Sequence, residues 1–108
     1  MRYGTEVLKR MFVTEPDKQI MNAVLGLCAE SGEVADFYKK TLFHPPHPRN
    51  PTYADLWKEY GDVLWYLAAA VEREFGMSLL DLAKDNIRKL QDRYPERYNN
   101  VNLEELTL

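Results

Sequence analysis

The chain has 108 residues, of which 45% are apolar and 12% aromatic, and its formal net charge is −3. This is the composition of a globular protein with one core, and its acidic balance gives no electrostatic support to binding of a nucleic-acid polymer or an anionic membrane. One cysteine, no signal peptide and no apolar run of roughly 20 residues together indicate a soluble cytoplasmic protein.

Helical signals dominate the chain, and no segment alternates as a strand does. A first helix is predicted over residues 5–13 and a second over residues 17–42, which the proline-rich loop HPPHPRNP terminates. One apolar stripe at three- and four-residue spacing predicts the core-facing side of the second helix. The members of this stripe are Ile20, Val24, Leu27, Ser31, Val34, Tyr38 and Leu42.

Each of the next two helices begins with a predicted capping box, in which a hydroxyl and an acid three residues later bond to each other's backbone. The boxes are TYAD at 52–55 and SLLD at 78–81, and the helices end at Gly76 and before Pro95. The tail has no clear pattern. We therefore predict an all-α protein, a bundle of four or five helices, with residues 1–108 as one domain.

Two pairs of acids lie on these helices, Glu30 with Glu33 and Glu59 with Asp62. Side chains three residues apart on a helix are neighbours. If the two helices pack together, four carboxylates share one cleft and repel one another unless a cation lies between them. Oxygen ligands without histidine or cysteine suit Mg²⁺ or Mn²⁺, and such an ion favours attack of water on a phosphorus atom.

For one acid pair taken alone, solvated carboxylates at the edge of a core are the simpler interpretation. Three glycines within the predicted helices, Gly26, Gly32 and Gly61, strengthen the functional interpretation. Glycine costs about 1 kcal/mol relative to alanine in a helix interior. Close helix packing or access for a bulky ligand would explain why that cost is tolerated.

Asn86, Lys89 and Arg93 share one face of the fourth helix. Opposite a metal site, they would balance the phosphate charge of a substrate. For each residue taken singly, the simpler interpretation is an asparagine bonded to backbone and cations extended along apolar surface. Lys58 and the Lys39–Lys40 pair are weaker candidates for binding phosphate.

With these motifs in view, the chain resembles the MazG-like nucleoside triphosphate pyrophosphohydrolases of the all-α NTP pyrophosphatase superfamily. The family signature of Glu-x-x-Glu followed by Glu-x-x-Asp reads ESGE at 30–33 and EYGD at 59–62. NIRKLQDRYP at 86–95 is similar to the family's fourth-helix element, and the resemblance covers about residues 26–95.

This resemblance implies Mg²⁺-dependent hydrolysis of a nucleoside triphosphate between the α and β phosphates, with Mn²⁺ as a possible substitute, in housekeeping of the nucleotide pool. It implies that the four acids of the two motifs are the metal-binding and catalytic residues. It also implies that Asn86 and Lys89 approach the substrate, with Arg93 a looser match, and that the protein is a homodimer or homotetramer. The aromatic side chains also support an oligomer, because a lone bundle of this size has difficulty covering Trp57, Trp65, Tyr66, Phe75 and the wide apolar face of the third helix.

Two other functions compete with this one. A di-iron carboxylate bundle needs Glu-x-x-His on two helices, and the predicted helices contain no histidine. A non-catalytic helical module that binds nucleotides or regulates a larger protein would keep the same acids, so it stays the alternative. Release of pyrophosphate from a triphosphate distinguishes an enzyme from that module.

Overall fold

A computed structural model describes all 108 residues as five α-helices and one short 3₁₀ helix, with no strand. The helices are α1 (Tyr3–Arg10), α2 (Pro16–Phe43), α3 (Tyr53–Phe75), α4 (Leu79–Arg93) and α5 (Pro95–Tyr98), and the 3₁₀ helix spans Leu103–Glu105. The all-α prediction is confirmed. The first helix begins two residues and ends three residues earlier than predicted, and the tail forms α5 and the 3₁₀ helix. None of the helices combines the length and apolarity that a membrane crossing requires.

Both predicted capping boxes are present, which fixes where α3 and α4 begin. The Asp55 carboxylate accepts a hydrogen bond of 2.8 Å from the Thr52 backbone N–H, and Asp81 accepts one of 2.9 Å from Ser78. These backbone hydrogen bonds lower the pKa of both aspartates. At the other end of α3, Gly76 has φ of 64°, a left-handed conformation that glycine adopts without steric cost.

α2 and α3 form a long antiparallel hairpin, and we call its row of facing residues the α2–α3 contact line. The facing pairs are Gln19 with Arg73, Ala23 with Ala69, Gly26 with Tyr66, Glu30 with Asp62, Glu33 with Glu59, and Phe37 with Tyr53. The acids therefore lie on the contact line itself, between apolar contacts on either side.

The apolar stripe predicted to face the core from α2 is covered only in part, since Ile20, Leu27 and Val34 are half-buried and its other members are exposed. Val24 is 41% exposed and Leu42 is 68% exposed. The buried residues of α2 are Gln19, Ala23 and Phe37, which lie about 100° around the helix axis from the stripe. The prediction holds only in part, because a hydrophobic stripe shows which side needs an apolar partner, and this chain covers only some of that side.

The core is small and lies where α1 crosses the hairpin. Its buried residues are Val7, Met11, Ala23, Ala68 and Ala69. Gln19 of α2 is only 3% exposed, and its side chain forms hydrogen bonds to the first part of the chain and to α3. Its amide nitrogen donates to the carbonyls of Leu8 and Val13, and its amide oxygen accepts a 2.9 Å hydrogen bond from Arg73. The core-side end of the hairpin is thus held to α1.

The rest of the chain leaves an unusually large surface exposed. The chain exposes 8236 Å² and has a radius of gyration of 17.1 Å. A compact monomer of this size exposes about 6,200 Å², with a radius near 13 Å. α4 has no buried residue, and apolar grooves of about 860 and 360 Å³ separate it from its neighbours. Trp57 is 80% exposed and Phe75 71% exposed, as expected of a bundle too small to cover them, whereas Trp65 and Tyr66 are half-buried within the single chain.

The N-terminus is anchored on the largely buried carboxylate of Glu72 near the end of α3. Arg2 donates to this carboxylate and to the Gly76 carbonyl, and the Thr5 hydroxyl donates to it at 3.1 Å. The hydrogen bond from Arg2 is the main reason that the pKa of Glu72 is lowered. A carboxyl with a lowered pKa stabilises the fold above its ordinary pKa, and this contribution is lost as the pH falls through the pKa of the folded state.

Glu72→Gln is therefore expected to lower the free energy of unfolding by about 1–2 kcal/mol at pH 7, because it removes a charged hydrogen-bond acceptor. The difference from the wild type should shrink as the pH falls below 4. Urea denaturation at one fixed protein concentration measures the free energy of unfolding of both proteins at pH 7 and below pH 4. Glu74→Gln on the exposed side of α3 is the control, and equal midpoints for the two variants at pH 7 would contradict the prediction.

Candidate metal centre

Three acids from two helices meet on the α2–α3 contact line. Glu30 of α2 and Glu59 and Asp62 of α3 each offer a carboxylate oxygen, and these oxygens lie within 4.8 Å of one another. Glu59 and Asp62 are neighbours because they are three residues apart on one helix. The antiparallel hairpin brings Glu30 to them from the opposite side. We call Glu30, Glu59 and Asp62 the carboxylate cluster.

Glu33, the fourth acid of the two motifs, lies beside the carboxylate cluster and not within it. It lines a cavity of about 100 Å³ together with Glu59, and the cavity continues along the contact line away from the core. Its charge still acts on Glu30. The structure thus brings three of the four predicted acids together and leaves the fourth one helical turn away.

The electrostatics of the cluster favour a bound cation. The pKa of Glu30 is raised, first because partial burial disfavours the charged carboxylate, and then because Asp62, Glu59 and Glu33 lie close to it. None of these four acids forms an ion pair with a lysine or arginine of the chain. The negative charge of the cluster is therefore uncompensated by the protein.

The ligand atoms of the cluster fit a hard divalent cation. All three are carboxylate oxygens, and no histidine or cysteine joins them. Mg²⁺ and Mn²⁺ prefer such ligands, and Mg²⁺ commonly takes its remaining ligands from waters and substrate phosphates. Structural zinc sites use cysteine and histidine instead. The residues present thus suit Mg²⁺ or Mn²⁺.

Within one chain, the predicted phosphate-binding residues of α4 do not line the cavity beside Glu33 and Glu59. Asn86, Lys89 and Arg93 are exposed, and no residue of α4 lines the cavity beside the acids. Asn86 borders an apolar groove with Leu64, and Arg93 borders a shallow pocket at the start of α5.

The lysines considered for phosphate binding near the acids differ in whether they form an ion pair within the chain. Lys40 lines the cavity but forms an ion pair of 2.6 Å with Asp36. The hydrogen bond between them raises the pKa of Lys40 and lowers that of Asp36. Lys39 and Lys58 are exposed and form no ion pair. The sequence analysis missed the Asp36–Lys40 pair, although its four-residue spacing on a helix is typical of an ion pair.

Only one of the three helix glycines has the close packing that was expected. A Cβ on Gly26 would collide with the ring of Tyr66. A Cβ on Gly32 or Gly61 would meet nothing within 4 Å. For those two glycines, close packing within the chain is therefore the wrong explanation.

Glu30→Gln is expected to raise the melting temperature of the metal-free protein by roughly 2–5 °C. A carboxyl with a raised pKa destabilises the fold at neutral pH. Removing the charge of Glu30 therefore reduces the repulsion among the carboxylates of the cluster. Added Mg²⁺ should then raise the melting temperature of the wild type but not that of the variant. Differential scanning calorimetry with and without Mg²⁺ measures both effects, with Glu74→Gln as control. A lower melting temperature for metal-free Glu30→Gln would contradict the prediction.

Comparison with known proteins finds one family whose model matches the chain. The model of the MazG nucleotide pyrophosphohydrolase domain matches residues 19–98. The matched segment contains the α2–α3 contact line from Gln19, the carboxylate cluster, Glu33 and all of α4, and it extends past both ends of residues 26–95. No curated protein and no solved structure matches the chain.

Proposed function

Because the chain belongs to the MazG nucleotide pyrophosphohydrolase family, we propose that it hydrolyses a nucleoside triphosphate between the α and β phosphates. The sugar is ribose or deoxyribose, and the products are the nucleoside monophosphate and pyrophosphate. The observation that carries this proposal is the carboxylate cluster, in which three oxygen ligands from two helices lie within 4.8 Å without a compensating cation. The proposed cofactor is Mg²⁺, for which Mn²⁺ can substitute.

The proposed mechanism assigns the chain's acids to holding the ion and the phosphates in place. Bound Mg²⁺ supplies positive charge at the phosphate oxygens and makes water more acidic. Glu30, Glu59 and Asp62 hold the ion on two long helices, which fix a site more accurately than loops do. Glu33, on the next turn of α2, is proposed as the fourth acid of the site. The positive charge of a bound ion would favour the ionised form of the Glu30 carboxyl, whose pKa is raised without it.

We propose that Asn86, Lys89 and Arg93 bind the remaining phosphate charge, with Lys58 and Lys39 as further cations near the acids. Within one chain, α4 has no buried residue and lines no part of the cavity beside the cluster. The proposal therefore requires that α4 meets a carboxylate cluster in an assembly of two or more chains.

A second copy of this chain is the proposed partner, in a homodimer or a homotetramer. The surface in excess of a compact monomer is roughly 2,000 Å², given the 8236 Å² that the chain exposes. A stable interface of standard size covers about 800 Å² on each partner. The uncovered stripe of α2 has the three- and four-residue spacing of a helix-packing surface, which suits another helix pair of the same kind.

The proposed role is housekeeping of the nucleotide pool in the cytoplasm. A panel of standard and modified nucleoside triphosphates, incubated with Mg²⁺ and assayed for pyrophosphate, tests the activity and identifies the preferred base and sugar. Release of pyrophosphate from at least one member is expected. Nucleotide binding without release from any member would contradict the proposal and favour the non-catalytic module.

A further inference from the structure

We infer that the contact of Gly26 with the ring of Tyr66 sets the separation of α2 and α3 at the carboxylate cluster. Gly26 is then a positioning residue, which acts on the metal ligands through the distance between two helices. The inference deepens the proposed function, since the cluster matters only if it binds a metal ion.

The contact leaves no room for a side chain at position 26. A Cβ built on Gly26 would lie 2.6 Å from Cζ of Tyr66 and closer still to Cδ1 and Cε1. These atoms run along one whole edge of the ring. Moving only the hydroxyl end of Tyr66 therefore does not relieve the clash, and either the ring leaves its place or the helices separate.

The position of this contact connects it to the metal ligands. Gly26 precedes Glu30 by four residues on α2, and Tyr66 follows Asp62 by four residues on α3, so the contact lies one turn from the cluster on both helices. On its other side, Ala23 and Ala69 are fully buried. Helix separation depends on the side chains at the contact, and these small residues hold α2 and α3 close.

The cluster has little tolerance for a change in this separation. Its ligand atoms come from both helices and lie within 4.8 Å. Metal–ligand distances in a working site vary by only about 0.2 Å. A methyl group at position 26 moves Glu30 relative to Glu59 and Asp62, and this should weaken metal binding without removing any ligand.

Gly26→Ala, with Gly32→Ala and Gly61→Ala as matched controls, tests the inference. All three substitutions add the same methyl group within a helix, but only the first meets Tyr66. Titration with Mn²⁺, followed by electron paramagnetic resonance, is expected to show a dissociation constant about tenfold or more higher for Gly26→Ala. The two controls should stay within about twofold of the wild type, because their methyl groups enter open space.

A double variant separates the contact from other effects of alanine at position 26. In the Tyr66→Ala background the ring is gone, so adding Gly26→Ala should change the Mn²⁺ dissociation constant by less than about threefold. A crystal structure of Gly26→Ala, or of Gly26→Ala in a stabilised background, should show the Glu30 carboxylate outside the 4.8 Å cluster.

Two results would overturn the inference. One is Mn²⁺ binding by Gly26→Ala within about twofold of the wild type, and the other is an equal loss in the presence and absence of the Tyr66 ring. The proposed function fails separately, if the wild type releases no pyrophosphate from any triphosphate. The crystal structure of the variant decides the inference in that case, since it needs neither metal nor substrate.

Discussion

Asp62→Asn and Glu59→Gln are each expected to lower Mg²⁺-dependent release of pyrophosphate by about 10³-fold or more. Each change replaces a charged ligand of the carboxylate cluster by a neutral amide of nearly the same shape. The fold should be kept, because removing a negative charge relieves repulsion within the cluster. Initial rates with a saturating triphosphate measure the loss, and circular dichroism measures the helical content.

The same assay ranks the four acids of the two motifs. Glu33 lies beside the cluster and not within it, so Glu33→Gln should lower the rate less, by about 10- to 100-fold. Glu74→Gln on the exposed side of α3 controls for loss of one acid and should retain full activity. Full activity in both Asp62→Asn and Glu59→Gln would contradict the site, and an equal loss for Glu33→Gln would contradict the separate place given to Glu33.

Val24→Glu is expected to dissociate the proposed assembly, with a rise of about 100-fold or more in its dissociation constant. Val24 lies at the surface of the single chain, where it is 41% exposed, so the change should not unfold the monomer. In a helix-to-helix interface, however, the glutamate introduced by Val24→Glu would bury an unpaired charge. Sedimentation velocity over a range of micromolar concentrations measures the change.

Asn22→Glu is the matched control for this experiment. It introduces the same side chain on the same helix, but position 22 lies about 160° around the axis from Val24. The wild type and Asn22→Glu should sediment alike as dimers or tetramers. A monomeric wild type at micromolar concentration, or Val24→Glu sedimenting like the wild type, would contradict the proposed assembly.

Features set by short-range interactions were predicted well from the sequence. The capping boxes at Thr52 and Ser78 depend on residues three positions apart, and the left-handed end of α3 depends on Gly76 alone. The two acid pairs were also found by spacing. Each of these signals is complete within one turn of chain, so no knowledge of the tertiary structure is needed to recognise it.

Features that depend on how the helices meet were not predictable in this way. The burial of Gln19 requires the carbonyl of Leu8 on α1, the carbonyl of Val13 in the segment that follows α1, and the guanidinium of Arg73. Which acid faces Glu30 depends on the register of the hairpin, and the same register places the ring of Tyr66 on Gly26. The strong apolar stripe of α2 was misleading, because its pattern records the need for a partner without stating which molecule supplies one.

The most direct test of the account is an anomalous difference map from crystals of the wild type soaked in Mn²⁺. A peak for Mn²⁺ is expected about 2.1 Å from carboxylate oxygens of Glu30, Glu59 and Asp62. Asp62→Asn crystals, soaked in the same way, are expected to lack this peak. A map with no Mn²⁺ at the three carboxylates of the wild type would contradict the metal centre, and with it the proposed hydrolase.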